Sequence, residues 1–330
     1  MSGATALRIA SLIEGALFGI LSLVPLSKDY TGDDSQVRIG VALGGYETGG
    51  DAPFIAAFNE ETNFIGYYDG NEKIKQGSFL DIGIDQHCFF GCKRGQQAAY
   101  LQLHANNDAI CVAYIGQTWA NGMKRGWLGD MGKMCGMPFY YSEINLQIAG
   151  GGTHTPYCTW FDRDHSSPTF NVGAIQLHMS SFSQMGDYAL PPEETLCRSP
   201  ATITHYDAGR EVPIPNFWNT NAKSKRNLDS SEKTLRPRSS SSFNGTLIAS
   251  RFPQHNATDL CAARESSGPD FVSFNEGVFC DMTNKIAWPL CGEAITNNCF
   301  DWNTHSLVRE RSRKREMSYS NVVVWKPGGQ

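Results

Sequence analysis

The sequence has few charged residues and little excess of either sign. Charged residues make up 18% of its 330 residues, and the formal net charge at pH 7 is -5. A typical soluble domain has about 25% charged residues. A nucleic-acid-binding protein needs a basic surface, so this balance argues against a nucleic-acid partner. The chain is nevertheless long enough to bury a large core.

Motifs of several enzyme classes are also absent from the sequence. It contains no G-x-S-x-G nucleophile elbow, no H-E-x-x-H zinc motif, no Walker loop and no EF-hand loop. The glycines of "GVALGGYETGG" lack the dinucleotide-binding spacing, so we interpret them as turn positions. No short motif therefore assigns a reaction, and we expect no cofactor for the chemistry.

Cysteine, in contrast, is plentiful. There are ten cysteines, none of them spaced as CxxC, which predicts five disulfides in an oxidising compartment. Two N-glycosylation sequons, at Asn244 and Asn256, have meaning only on an exported chain. Together these features predict a glycoprotein of the secretory pathway, either secreted or vesicular.

The N-terminal segment, residues 1–27, fits a secretory signal. Its apolar stretch from Gly15 to Leu26 has the length of a signal h-region. Glu14 interrupts the apolar run and no A-x-A cleavage site follows it. An amphipathic helix or a retained signal anchor is therefore the alternative, and membrane contact is expected only through this segment.

Short strand-like segments separated by turn residues follow the signal. Runs such as "VRIGVAL", "NFIGYYDG" and "AICVAYIGQTW" are apolar or alternating. The dipeptides Asp69-Gly70 and Asn121-Gly122 are typical of tight hairpin turns. No long helical pattern interrupts this block. We therefore predict a mainly β fold, an antiparallel β-sandwich or barrel, with residues 28–221 as its β domain.

Three further segments complete the predicted domain organisation. Residues 222–243 are polar and basic, which predicts a flexible linker whose dibasic pair is either processed or merely solvated. Residues 244–308 combine a strand with a small cysteine-rich cap that carries one short helix and rejoins the body. Residues 309–330 form a basic tail.

Which cysteines pair cannot be deduced from sequence alone. Short loops favour two bonds within the cap, Cys261–Cys280 and Cys291–Cys299. A third predicted bond, Cys111–Cys135, would bracket the hairpin around Asn121-Gly122.

That hairpin, in the stretch "DAICVAYIGQTWANGMKRGWLGDMGKMCG", places aromatic side chains around one carboxylate. Trp119 lies two residues before the turn, where we expect only partial burial, and Trp127 and Asp130 follow it. Aromatic side chains with a few polar groups commonly line small-molecule pockets. A plain aromatic core beneath a disulfide is the alternative. Further candidates for the same wall are Phe139, Tyr140, Tyr141 and Trp160.

Two other polar patterns are candidates for chemistry. Asp162 and Asp164 are two residues apart, and in a strand that spacing aims both carboxylates to one face, where they could hold a structural Ca²⁺ ion. A charged surface turn is the alternative. His178 alternates with Gln176, which favours either a polar cavity or a structural histidine in the core.

Four short blocks are the most specific patterns in the chain: D-A-I-C, T-W-x-x-G, W-x-G-D and S-x-G-P-D-F-V. Through them the sequence resembles, over most of its length, a family of secreted, disulfide-rich proteins of filamentous fungi. That family includes the hetero-Diels–Alderases of tropolone–sesquiterpenoid biosynthesis. This chain departs from the family pattern at Met131 and Phe139, where members more often have Trp.

The resemblance implies a pericyclase of fungal secondary metabolism that acts on small molecules. A hydroxymethyl tropolone would lose water, and a humulene-type macrocycle would capture the resulting quinone methide to give a meroterpenoid. The residues themselves suggest Asp130 and His178 as acid and base, with Tyr140 or Tyr141 as hydrogen-bond donors. The apolar walls would come from Trp119, Trp127, Trp160 and Phe139.

Two other functions fit the same residues. In a secreted glycan-binding protein or glycoside hydrolase, exposed Trp119 and Trp127 would stack on sugar rings, and Asp130 with Asp162 would be the acid–base pair. In a disulfide-stapled protein without a pocket, the aromatic side chains would be packed inside. An enclosed site with one ionisable group would favour the pericyclase.

Overall fold

The part of the chain that the structure describes is mainly β. In this computed structural model the protein has 44% strand and 10% helix, which confirms the predicted fold class. The predicted signal, Asn244, Cys88 and Cys92 lie outside the described residues, and so does the predicted linker apart from Phe243. Those residues are 34–86, 94–147, 152–164, 170–182, 193–198, 202–215, 243, 245–309 and 315–327.

Strands are numerous and helices are short. The strands are β1 (Ser35–Val41), β2 (Gly50–Asp51), β3 (Phe54–Phe58), β4 (Phe64–Tyr68), β5 (Lys73–Ile74), β6 (Phe79–Gln86), β7 (Tyr100–His104), β8 (Ile110–Thr118), β9 (Lys124–Leu128), β10 (Phe139–Tyr141), β11 (Leu146–Gln147), β12 (Thr153–His154), β13 (Tyr157–Phe161), β14 (Val172–His178), β15 (Ile203–Asp207), β16 (Thr246–Ser250), β17 (Asp270–Ser273), β18 (Val278–Asp281), β19 (Ile286–Pro289), β20 (Cys299–Asp301), β21 (Ser306–Val308), β22 (Arg315–Glu316) and β23 (Asn321–Trp325). The helices are α1 (Gly129–Met134), α2 (Glu193–Arg198) and α3 (Ala257–Ala262), and a 3₁₀ turn covers Met179–Phe182. No helix among the described residues is long and apolar enough to cross a membrane.

The described residues divide into two compact units. The first contains residues 34–44, 48–164 and 170–215, and the second contains 45–47, 243, 245–309 and 315–327. A curled antiparallel sheet, a half-barrel, builds the first unit. Its strand order is β10-β13-β8-β1-β6-β4-β3-β7-β14-β15, and β9 also pairs with β8.

Burial along the strands of the first unit explains why they pair as they do. Every residue of β8 is buried, as in a strand that is covered on both faces. Strand β6 alternates between buried and largely exposed positions. On its exposed side, the Nε of Arg38 lies 2.6 Å from Oδ1 of Asp81, and the guanidinium lies 3.8 Å over the ring of Phe79.

Helix α1 packs closely against strand β13. A helix of six residues depends on tertiary packing for its stability. A Cβ atom on Gly129 would meet the carbonyl oxygen of Tyr157, and one on Gly132 would meet the side chain of Thr159. The two glycines therefore allow the helix to approach the sheet, and they fix the position of Asp130 between them.

All eight cysteines in the described residues form disulfides, which indicates an oxidising environment. The two predicted local bonds, Cys261–Cys280 and Cys291–Cys299, are confirmed. The predicted bond between Cys111 and Cys135 is wrong. Cys111 pairs with Cys158, because β13 lies beside β8 and brings the two Cα atoms to 5.3 Å. Cys135 follows α1 and bonds to Cys197 instead.

The second unit contains a five-stranded sheet in the order β19-β18-β17-β16-β23. Strand β16 runs parallel to both β17 and β23, so this unit departs from a purely antiparallel arrangement. Strand β23 lies in the segment that the sequence assigned to a basic tail. The core of the unit includes Phe279 and Phe300, whose rings stack at 3.9 Å.

Candidate functional site

The aromatic side chains that the sequence singled out lie in the core of the first unit. Trp119 is only 2% exposed, so the expectation of partial burial at the hairpin tip is wrong. Its indole Nε1 donates a hydrogen bond to the carbonyl of Ala98, and this contact holds the ring in a buried position. The other predicted wall residues are equally buried: Trp127, Trp160, Phe139, Tyr140 and Tyr141.

A tight hairpin between β8 and β9 positions two of these tryptophans. Gly122, with φ +79°, allows the turn, and the amide of Trp119 donates to the carbonyl of Met123. In the β8–β9 ladder Gln117 lies opposite Arg125, and Ile115 lies opposite Trp127. Because side chains alternate along a strand, Gln117, Arg125 and Trp127 share one face of the hairpin.

Arg125 is a buried cation in this hairpin. The residue is 4% exposed, and its guanidinium carbon lies 4.2 Å from the centre of the Trp119 ring. One Nη1 hydrogen bond, 2.8 Å long, goes to the carbonyl of Lys124. Its Nε has no partner within the described part of the chain. Burial lowers the pKa of the guanidinium, since the charged form is poorly solvated there.

Two more polar atoms on the same face of the hairpin lack partners. Nε2 of Gln117 and Nε1 of Trp119 both donate to the carbonyl of Ala98, each at 3.1 Å. Oε1 of Gln117 and Nε1 of Trp127 remain without a hydrogen bond among the residues described. A buried polar group without a hydrogen-bond partner lowers the stability of the folded protein by about 1–3 kcal/mol, so such groups are uncommon in native structures. We name Gln117, Trp119, Arg125 and Trp127 the hairpin site.

The hairpin site has the chemistry of a receptor for an oxygen-bearing ring. It offers two unused donors, one of them on a cation, and one unused acceptor beside a large aromatic surface. A guanidinium forms paired hydrogen bonds with two neighbouring oxygens. A flat ligand with adjacent oxygen atoms would therefore satisfy the groups that the protein leaves unpaired.

Asp130, a predicted acid or base, has a partner that the sequence analysis missed. Its Oδ2 lies 3.2 Å from Nε2 of His154, and both side chains are largely buried. Asp130 is in the first turn of α1, and His154 is on β12. Sequence offered no signal for this contact, because His154 stands in a glycine- and threonine-rich segment without periodicity.

His178 has a different set of partners. Its Nε2 lies 2.9 Å from Oε1 of Glu60, and its Nδ1 lies 2.8 Å from the hydroxyl of Ser181. The imidazole stacks on the ring of Tyr100 with centroids 4.4 Å apart. The two groups proposed as one acid–base pair, Asp130 and His178, therefore each have their own partner. We name Glu60, Tyr100, His178 and Ser181 the His178 cluster.

The two aspartates of the predicted calcium site are not held on a strand. Strand β13 ends at Phe161, so Asp162 and Asp164 follow it in an irregular segment. Asp162 is fully buried, whereas Asp164 is exposed. The described residues contain no group of three or more His, Cys, Asp or Glu side chains that could hold a metal ion. The calcium ion thus stays a prediction, but the two carboxylates do not lie on one face of a strand as that prediction assumed.

Strands β3 and β4 carry an aromatic face that the sequence analysis missed. Phe64 and Tyr67 are 39% and 40% exposed, and their near-parallel rings lie 6.3 Å apart. Phe54 stacks on Tyr67 at 6.0 Å, and Phe58 contacts the edge of Phe64 at 5.7 Å. Phe54 and Phe58 alternate in "FIAAF", which is a signal for this face. Phe64 and Tyr67 are three residues apart and share the face through an irregularity in the β3–β4 register, which the sequence does not reveal. We name these four residues the β3–β4 face.

Asn256 precedes α3 and is partly exposed, so the sequon is on the protein surface, and its glycosylation stays a prediction. No known family model matches the chain, and no curated protein matches it. The function therefore has to be inferred from the chemistry of the sites themselves.

Proposed function

We propose that this protein is a pericyclase that holds a tropolone-type substrate in the hairpin site. The observation that supports the proposal is the buried guanidinium of Arg125 over the ring of Trp119. Beside it, Oε1 of Gln117 and Nε1 of Trp127 have no hydrogen-bond partner among the described residues. A tropolone has two adjacent oxygens on a flat ring, which match the donors of a guanidinium. The four side chains of the site are buried and include one ionisable group, Arg125.

The proposed reaction has two steps. A hydroxymethyl tropolone loses the proton of its ring hydroxyl and its side-chain hydroxide, released together as water, to give a quinone methide. The alkene of a humulene-type macrocycle then adds across the methide, with one new C–C bond and one new C–O bond. Arg125 would bind the ring oxygens, and the pair of Asp130 and His154 would exchange the protons of the dehydration.

Orientation would supply most of the rate enhancement in the second step. Holding two partners in reactive geometry can contribute roughly 7–11 kcal/mol. A cation at the carbonyl oxygen also draws electron density from the methide, which favours attack by an electron-rich alkene. No covalent nucleophile is needed, which agrees with the absence of such motifs from the sequence.

An adduct assay tests the proposal. The purified protein is incubated with a quinone-methide precursor of the tropolone type and humulene, and the adducts are separated by chiral chromatography. We expect one dominant stereoisomer, at least tenfold slower formation with Arg125→Met, and no change with Arg38→Met. Arg38 is a matched control, because it also lies over an aromatic ring but pairs with Asp81. A racemic product at the uncatalysed rate would contradict the proposal.

Glycan binding is a second candidate, supported by the β3–β4 face. Apolar patches on a soluble protein commonly mark interaction sites, and exposed aromatic rings can stack on the faces of sugars. Phe54, Tyr67 and Phe64 form a line of near-parallel rings. Hydrolysis is not proposed, because Asp162, the intended partner of Asp130, is fully buried.

A glycan array tests the second candidate. Binding is expected for the wild type and for Phe79→Ala, and it should fall at least tenfold in the double variant Phe64→Ala/Tyr67→Ala. Phe79 is 50% exposed but belongs to strand β6, outside the face, which makes it a suitable control. An array without any specific signal would eliminate this function.

Secretion is proposed together with either function. Four disulfides indicate an oxidising compartment, and the sequons at Asn244 and Asn256 fit the same route. Detection of the glycosylated chain in the culture medium would test this localisation, and retention of an unglycosylated chain in the cytosol would contradict it.

A further inference from the structure

We propose that Ser181, His178 and Glu60 form an acyl-transfer site that hydrolyses esters, with Ser181 as the nucleophile. This activity is separate from the hairpin site, and its apolar surface includes Phe58 and Phe64 of the β3–β4 face. It rests on the order of the contacts, which run from a hydroxyl to an imidazole and from the imidazole to a carboxylate.

The geometry satisfies both contacts that an activated serine requires. Ser181 Oγ lies 2.8 Å from Nδ1 of His178, and Oε1 of Glu60 lies 2.9 Å from Nε2 of the same ring. A carboxylate accepts hydrogen bonds, so Glu60 favours the tautomer with the proton on Nε2. Nδ1 is then unprotonated, and it can accept the proton of the Ser181 hydroxyl.

The fold holds the imidazole in place from several directions. His178 is the last residue of β14, and its amide donates to the carbonyl of Thr202 at 2.8 Å. The ring of Tyr100 stacks on the imidazole at 4.4 Å. Met179, the next residue, donates its amide to Ala99 at 2.7 Å, which anchors the 3₁₀ turn that carries Ser181.

The electrostatics also suit a general base. The side chain of His178 is 7% exposed, and burial lowers its pKa, an effect that Glu60 partly offsets. The imidazole is therefore neutral at neutral pH and ready to take up a proton. The side chain of Glu60 is itself half exposed, so the carboxylate is in contact with solvent.

The site can be reached from solvent, and an apolar surface adjoins it. Ser181 is partly exposed. In the sheet, Phe64, Phe58, Tyr100 and His178 are successive cross-strand neighbours on β4, β3, β7 and β14. An aromatic or alkyl group of an ester could lie along Phe58 and Phe64 while its carbonyl carbon meets Ser181. The substrate class is therefore an ester of an apolar acid or alcohol.

The reaction balances without a cofactor. Ser181 Oγ adds to the ester carbonyl while His178 takes its proton, and the same proton then leaves on the released alcohol. The acyl-serine is hydrolysed when His178 takes a proton from water and the resulting hydroxide attacks the carbonyl. His178 then gives this proton to Ser181 Oγ as the C–Oγ bond breaks, which regenerates the serine. The products are one alcohol and one carboxylic acid.

Covalent labelling of the wild-type protein is the first test. A fluorophosphonate probe should modify Ser181, as identified by peptide mass spectrometry. Hydrolysis of p-nitrophenyl butyrate should be saturable and fall to the buffer rate in Ser181→Ala. Ser180→Ala is the matched control, because the neighbouring hydroxyl contacts Glu60 at 3.0 Å and not the imidazole. Its rate should stay within twofold of wild type.

Two further variants separate catalysis from folding. His178→Gln should reduce kcat about 10²-fold or more, the usual contribution of a general base. Glu60→Gln should lower kcat and leave KM unchanged, since Glu60 is a positioning residue that does not touch the ester. Arg38→Met lies outside both the hairpin site and the His178 cluster and should hydrolyse the ester at the wild-type rate. The ester assay contains neither pericyclase substrate, which keeps this proposal independent of the pericyclase.

Three results would overturn the assignment. They are a wild-type protein that neither reacts with the probe nor exceeds the Ser181→Ala rate, a label on another serine, and a loss in Ser180→Ala as large as that in Ser181→Ala.

Discussion

The guanidinium of Arg125 lies 4.2 Å from the centre of the Trp119 ring, and no carboxylate accepts from it within the described residues. Most buried charges are paired, because a buried ion without a counter-charge is costly. A cation–π contact returns only part of that cost. A ligand that accepts from the guanidinium, as in the proposed function, would supply the missing counter-charge.

The first prediction concerns the stability of Arg125 variants. Arg125→Met keeps an apolar stem and removes the buried charge, so the free energy of unfolding should stay the same or rise by about 1 kcal/mol. Arg125→Lys keeps a buried charge but loses the planar contact with Trp119, and it should be less stable than wild type. Urea unfolding of the three proteins measures this. A loss of more than about 2 kcal/mol in Arg125→Met would indicate a structural role instead.

The second prediction compares two glycines of adjacent strands. A Cβ on Gly40 would run into the ring of Tyr114, whereas a Cβ on Gly83 would meet nothing within 4 Å. Gly40→Ala should therefore lower the free energy of unfolding by about 1–3 kcal/mol, as overpacking does. Gly83→Ala should be neutral or slightly stabilising, since glycine is unfavourable within a strand. Equal effects in the two variants would show that Tyr114 moves aside freely.

The strands of the first unit were predictable because local patterns determine them. The apolar run in β8 and the Asn121-Gly122 turn act over a few residues, and both gave the correct structure. The depth of Trp119 was not predictable. It depends on the Ala98 carbonyl, 21 residues away, and on how far the sheet curls.

The third prediction concerns the corrected disulfide. A Cys111→Ala/Cys158→Ala double variant opens a loop with a sequence separation of 47 residues. The chain-entropy model then predicts that the free energy of unfolding falls by about 4 kcal/mol. Peptide mapping of the non-reduced protein should find the Cys111–Cys158 and Cys135–Cys197 cross-links. A Cys111–Cys135 peptide would contradict the structure.

The sequence predicts which ionisable side chains are candidates for a site more readily than it predicts their hydrogen-bonding partners. The sequence predicts Asp130 among aromatic side chains and His178 either in a polar cavity or in the core, and both residues are buried. Their partners were not recognised, because Glu60 is 118 residues from His178 and meets it only through the β3–β7–β14 ladder. Long-range register is a property of the whole sheet, and single-sequence patterns do not specify it.

The last prediction uses the carboxyl group of Glu143. Burial raises its pKa from the ordinary value of 4.5 to about 7, because the ionised form is poorly solvated. Below pH 4.5 the group is protonated in both states, so it does not affect stability. Between pH 4.5 and 7 the unfolded chain loses the proton while the folded protein keeps it, and the free energy of unfolding falls as pH rises.

Glu143→Gln removes this titration with little change in size. The variant should match wild type at pH 4 and exceed it at pH 8 by on the order of 2 kcal/mol, since one pKa unit corresponds to about 1.4 kcal/mol and partial exposure weakens the shift. Urea unfolding at pH 4, 6 and 8 measures the difference, and Glu143→Gln is compared with Glu47→Gln to control for a change in net charge. Parallel pH profiles for wild type and Glu143→Gln would show that the carboxyl is solvated and ionised in the folded protein.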